Sequence, residues 1–78
     1  MFDLRKAIIR INGLLYTADY DDTNFEKGNM VIDKKDGAYG VIDMIMPNNH
    51  FAVRDNNVVE IGIAKDRLIK LKILMSNN

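Results

Sequence analysis

The sequence predicts a mainly β domain, and three observations predict it. Short apolar segments are punctuated by turn-forming pairs, Asn12-Gly13 and Asp36-Gly37. The last third alternates apolar and polar residues with a period of two. No long segment carries the period of a helix without an internal turn signal. Seventy-eight residues leave room for one core, so residues 1–78 are read as a single domain, with residues 1–19 as an N-terminal hairpin or short helix and residues 25–75 as the main sheet.

The first element has two readings. As a helix, Leu4, Ala7, Ile8, Ile11, Leu14 and Leu15 share one apolar face, with Asp3 as the N-cap. As a hairpin, Asn12-Gly13 is the preferred two-residue turn, Ile11 faces Leu14, Ile9 faces Tyr16 and Ala7 faces Ala18, with Lys6 across from Asp19. The turn chemistry favours the hairpin, because a glycine inside a helix costs about 1 kcal/mol relative to alanine. Residues 19–29 are polar and read as a loop. Met30-Val31-Ile32 and Val41 to Met46 read as strands joined through Lys34-Lys35-Asp36-Gly37, with Gly37 at positive φ. The second of these strands is apolar on both faces, as the central strand of a closed or strongly bent sheet would be.

Pro47-Asn48-Asn49 ends that strand. A hairpin follows over Phe51 to Ile61, with Asp55-Asn56-Asn57 as a three-residue loop and Asn57 left-handed. This register sets Phe51 against Ile61 and Val53 against Val59, with Arg54 against Val58 and Ala52 against Glu60. Ala64 to Arg67 reads as a single helical turn. Ile69, Leu71, Ile73 and Met75 then alternate with Lys70, Lys72 and Leu74 in a last strand, placed at a sheet edge where lysines block further pairing.

From Phe25 onward this arrangement resembles an SH3-like small β-barrel of the KOW and Tudor-like kind. The residues that carry the resemblance are Phe25-Glu26-Lys27-Gly28-Asn29-Met30-Val31-Ile32 and Gly37-Ala38-Tyr39-Gly40-Val41-Ile42-Asp43-Met44-Ile45, followed by the short hairpin, tight turn and closing strand of Phe51 to Ile73. The resemblance implies a bent, closed sheet of about five strands that binds through its loops and edge. Members of that class contact RNA, ribosomes, RNA polymerase, modified peptides or protein partners. The basic loop of the nucleic-acid-binding members is missing here, and the N-terminal segment is an addition to the pattern.

Composition narrows the function. Eleven basic residues balance eleven acidic ones, whereas a non-specific nucleic-acid binder carries a basic excess. The charges are segregated: Asp19 to Glu26 holds four acids and no base, and Lys65 to Lys72 holds four bases and one acid. The absence of cysteine removes disulfides, thiolate nucleophiles and thiolate metal sites, and favours a reducing compartment. No apolar run approaches a membrane span, and charges interrupt the start where a signal peptide would be apolar. A cytoplasmic location is expected, for a host protein or a phage-encoded one.

Chemistry is scarce. Ser76 is the one serine and His50 the one histidine, so a histidine-activated nucleophile finds no partner within the predicted fold. The acids Asp19, Asp21 and Asp22 sit in a polar loop where burial cannot separate their pKa values. Read as a calcium loop from Asp19, Asn24 and Met30 occupy the positions that need glycine and glutamate. No enzyme activity, cofactor or metal is expected. Five methionines is a high count, and Met44, Met46 and Met75 are read chiefly as filling an irregular core, with Met46 beside Pro47 and near His50 as a candidate contact residue.

The expected function is a protein-interaction module, a small adaptor or inhibitor, with Tyr39, Met46, His50 and Arg54 as candidate binding residues, assisted by the acidic loop Asp19 to Glu26. The alternative is a nucleic-acid-binding or transcription- and translation-associated domain. It would use a basic face of Lys70 and Lys72 joined by Lys34, Lys35, Lys65 and Arg67.

Overall fold

The computed structural model describes residues 8–75. Seven strands make one antiparallel sheet: β1 (Ile8–Ile11), β2 (Leu14–Asp19), β3 (Met30–Asp33), β4 (Tyr39–Met46), β5 (His50–Asp55), β6 (Val58–Ala64) and β7 (Leu68–Met75). Their order across the sheet is β1-β2-β7-β3-β4-β5-β6. A 3₁₀ turn, Lys65–Arg67, joins β6 to β7. The mainly β class follows directly.

Over the described residues, the N-terminal segment is a hairpin. Asn12 (φ 51°) and Gly13 (φ 82°) both take left-handed conformations, which matches the twist of the flanking strands. Ile11 pairs with Leu14 and Ile9 with Tyr16, in the expected register. The expected positions of Asp3, Leu4, Lys6 and Ala7 lie outside the described residues. After the loop, β3 to β6 form a meander, and β7 returns to lie between β2 and β3.

That return corrects the placement of the last strand, which is interior rather than at an edge. Burial explains it. Leu68, Ile69 and Leu71 are all buried, and adjacent residues of a strand face opposite sides of the sheet. One core gathers Phe25, Val31, Ile42, Phe51, Val53, Ile63 and Leu68. The other gathers Ile11, Tyr16, Ala18, Ile32, Ile69 and Leu71. Neighbouring residues Val31 and Ile32, and likewise Leu68 and Ile69, contribute to different cores. The sheet therefore buries one face at its β3–β6 end and the opposite face at its β1–β2 end, with β3 and β7 serving both.

The two-faced strand expected at Val41 to Met46 is thus replaced by β3 and β7. In β4, Met44 is 57% exposed and Ile45 is exposed beside it, so Met44 does not fill the core. The cause is a bulge. The β4–β5 register shifts between Ile42 and Met44, leaving Asp43 as an extra residue that bends the strand outward.

The β5–β6 hairpin also differs from its expected register. Asn56 (φ 49°) and Asn57 (φ 72°) are both left-handed, so the turn has two residues and Asp55 pairs with Val58. Arg54 then pairs with Val59 and Val53 with Glu60. A second bulge follows, where Ile61 and Gly62 oppose Ala52, and Phe51 meets Ile63 instead of Ile61. Gly62 permits it at φ 75°. The extra residue puts Ile63 into the core and leaves Ile61 outside.

Gly40 shows how closely the strands approach. A Cβ there would lie 2.7 Å from both the Arg54 carbonyl oxygen and Val53 Cγ1. Gly40→Ala is expected to destabilise the fold by about 1–3 kcal/mol through overpacking, read as a lowered urea midpoint. An unchanged midpoint would show that β4 and β5 can separate freely at this point.

Candidate functional site

The main groove lies where the segment after β2 meets the β4–β5 turn and the 3₁₀ turn. Its volume is about 460 Å³, and Tyr20, Phe25, Lys34, His50, Lys65 and Leu68 are among its lining residues. Each wall is built by local chemistry.

The first wall is the acidic loop. Asp19 Oδ1 accepts the backbone N–H groups of Asp21 and Asp22, both at 3.2 Å, and Asp22 Oδ1 accepts that of Asn24 at 3.1 Å. Such side-chain turns are what aspartate offers a chain leaving a strand. Lys70, paired across the ladder with Asp19, then ties the loop down. Its Nζ donates to Asp22 Oδ2 at 3.0 Å and to the Asn24 carbonyl at 2.7 Å. The hydrogen bond from Lys70 holds the Asp22 carboxyl below its ordinary range, helped by the Asn24 N–H.

Phe25 follows and packs edge-on to Phe51, with ring centroids 5.4 Å apart. The next turn is clipped to β4 by two backbone bonds of 2.9 Å, from Gly28 N–H to the Ile42 carbonyl and from Ile42 N–H to the Asn29 carbonyl. Lys70→Met should release this loop while leaving both cores intact. Amide exchange over residues 20–24 is expected to speed up by on the order of tenfold. Unchanged protection would mean that the aspartate turns hold the loop alone.

The opposite wall is the β4–β5 turn. Asn48 (φ 61°) and Asn49 (φ 59°) are both left-handed, and His50 Nδ1 donates to the Asn48 carbonyl at 2.7 Å. The Asn49 carbonyl accepts Lys65 N–H at 3.0 Å, and the Arg67 carbonyl accepts Lys34 N–H at 2.8 Å. The 3₁₀ turn is thereby fixed at both ends, with Lys34 and Lys65 at the groove. Neither lysine side chain forms an ion pair among the described residues.

Behind the groove, Arg67 joins β3 and β6. Its Nε donates to Asp33 Oδ1 at 2.8 Å, and its Nη2 donates to Asp33 Oδ2 and to Glu60 Oε2, the latter at 2.9 Å. Asp33 is 8% exposed and also accepts Lys35 N–H at 2.9 Å. Hydrogen bonding to Arg67 pulls the Asp33 carboxyl below its ordinary value against the cost of burial, and Asp33 with Glu60 raises Arg67. This network links β3, β6 and the 3₁₀ turn.

Of the residues singled out in the sequence, Lys34, His50, Lys65 and Lys70 line the main groove. Met46 is half-buried at the end of β4, as the ladder partner of His50. Tyr39 is exposed at a second groove of about 380 Å³, with Asp36, Asp55 and Glu60. Arg54 is exposed and paired with Asp43 at 2.7 Å. Lys72 is exposed opposite Thr17. Of the expected basic face, Lys34, Lys65 and Lys70 come together at the main groove, with Lys70 and Arg67 paired to carboxylates.

Tyr20 and Phe25 were missed as lining residues. The sequence signal for them was an aromatic residue inside the first aspartate turn and another just after the second. Among the described residues, no group of three or more histidines and carboxylates is placed to hold a metal ion. No helix among them is long and apolar enough to cross a membrane. No protein-family model matches the chain, and neither curated proteins nor solved structures yield a match.

Proposed function

We propose that this chain is a non-catalytic protein-interaction module that takes a segment of a partner protein in the main groove. The observation that carries the reading is the groove's construction. Three separate loops are pinned by specific hydrogen bonds around an apolar floor of Phe25 and Leu68, with Lys34 and Lys65 left uncommitted at the rim. Preformed grooves with an apolar base and a few placed polar groups suit peptide segments, because little ordering remains to be done on binding. The β3–β6 meander, the 3₁₀ turn and the return of β7 beside β3 support an SH3-like reading of residues 25–75, with β1 and β2 as an added hairpin.

A protein partner is favoured over nucleic acid by the fate of the charges. Two of the six basic residues available to a phosphate-binding face are held in ion pairs. The groove also presents Asp19, Asp22 and Asp66, which would repel a polyanion.

The test is affinity capture followed by quantitative binding of the captured protein, with the wild-type chain and with Lys65→Glu. Charge reversal at the groove rim is expected to weaken binding at least about tenfold, as loss of a desolvated charge contact does. Equal affinity for both forms would remove the groove from the interface. Tight, steeply salt-dependent binding to RNA or DNA would replace the protein partner with a nucleic acid.

A further inference from the structure

We propose that strand β6 is a self-association edge, pairing antiparallel with β6 of a second copy of this chain about a two-fold axis. This site is independent of the groove. β6 ends the sheet, and its residues from Val58 to Gly62 are all exposed. Val58 and Ile61 are each 69% exposed, the highest exposures among the large apolar residues described. An edge strand presents backbone N–H and C=O groups that only another strand satisfies in register, and proteins that stay monomeric guard such edges with lysine, proline or inward charges. The exposed stretch of β6 has no lysine and no proline. Its one charge, Glu60, is bonded within the same chain by Arg67 at 2.9 Å, a guanidinium it shares with Asp33. That contact offsets part of the repulsion between the two carboxylates that a pair of such edges brings together.

The occupant follows from self-complementarity. A two-fold axis normal to the sheet keeps each face of one copy continuous with the same face of the other. Centred on Glu60, it sets Val59 opposite Ile61 of the second copy, and the reverse. Within one chain the ladder places Val41, Arg54 and Val59 in one row. It places Met44 beside Ala52 in the next row, with Ile61 in the bulge across from Ala52. The pairing joins these rows end to end, so Val59 and Ile61 of both copies cover one another beside the exposed Met44 side chains. The bulge at Gly62 ends the flat part of the edge, which confines pairing to about four residues. An interface that short falls in the weak, concentration-dependent class. The opposite edge, β1, carries Arg10 in its four residues and offers no such self-match.

Sedimentation equilibrium across a concentration series up to about 1 mM tests the proposal. The expected result is a monomer–dimer equilibrium that stops at two copies. Ile61→Lys and Val59→Lys, each checked for a native circular dichroism spectrum, should raise the dissociation constant at least tenfold, while Ile45→Lys on another part of the surface should not. Glu60→Cys gives a register-specific readout in a chain that otherwise has no cysteine. A residue on the axis faces its own copy at a separation a disulfide spans, so this variant should cross-link on mild oxidation far faster than Ile45→Cys. A monomer throughout, growth beyond two copies, a folded lysine variant that still dimerises, or equal cross-linking rates would each overturn the proposal.

Discussion

Phe51→Ala is expected to destabilise the protein by about 3–5 kcal/mol, the usual range for emptying an aromatic core position. A chain of this length has a total stability of only about 4–12 kcal/mol, so the variant should lose much of its folding transition. Phe51 is 4% exposed, at the centre of the core formed by β3 to β7. Its removal deletes the ring against which Phe25 packs, and Phe25 is what seats the groove loop on the sheet. Urea unfolding followed by circular dichroism gives the magnitude. Phe51→Leu, which keeps most of the volume, should cost distinctly less. A loss below about 1 kcal/mol for the alanine variant would mean that the site collapses without a cavity, and the assigned core would be wrong.

The second large effect concerns Asp33. Its carboxylate is buried and receives Arg67 through two nitrogens together with the Lys35 N–H. Asp33→Asn keeps the size but removes the charge, and is expected to cost about 2 kcal/mol through weakened and unmatched hydrogen bonds. The pH dependence has a definite sign. Arg67 lowers the Asp33 pKa in the folded state below its ordinary 3.8. The stabilisation is therefore complete above that value and is lost as pH falls through the lower, folded value. In the asparagine variant this contribution is missing at every pH. The stability gap between the two proteins should thus be widest near neutral pH and narrow as pH falls below that ordinary value. A gap independent of pH would show that the charge of Asp33 contributes nothing. Asp22, shifted in the same direction by Lys70, is more exposed and adds less to this acid-side slope.

These two residues also mark where sequence reasoning succeeds and where it stops. Phe51 was legible as core because its strand alternates, and the Asn12-Gly13 hairpin was legible because that pair takes positive φ at both positions. The Asn56-Asn57 pair was ambiguous, since one left-handed asparagine gives a three-residue loop and two give a two-residue loop. The bulges at Asp43 and Gly62 were not legible. Each adds a single residue, and each reverses which apolar side chains face the core beyond it, sending Ile61 outward and Ile63 inward. Asp33 was unremarkable in the sequence because its partner Arg67 lies on a distant segment. Lys70 was read as a solvent-facing lysine for the same reason. Its alternation was right, but the loop that covers it cannot be located until β2 and β7 are paired. The groove shares this difficulty, since its walls come from four stretches of chain, and its residues singled out for binding (His50, the acidic loop, Lys34, Lys65 and Lys70) are read from the sequence as parts of two alternative surfaces.

Amide chemical-shift mapping with the captured partner protein examines the central claim most directly. Occupation of the groove should concentrate the perturbations at Tyr20 to Phe25, Asn48 to His50 and Lys65 to Leu68, leaving the Tyr39 groove and Arg54 unmoved. Perturbations centred on Tyr39 and Arg54 instead, with the acidic loop and the 3₁₀ turn silent, would contradict it.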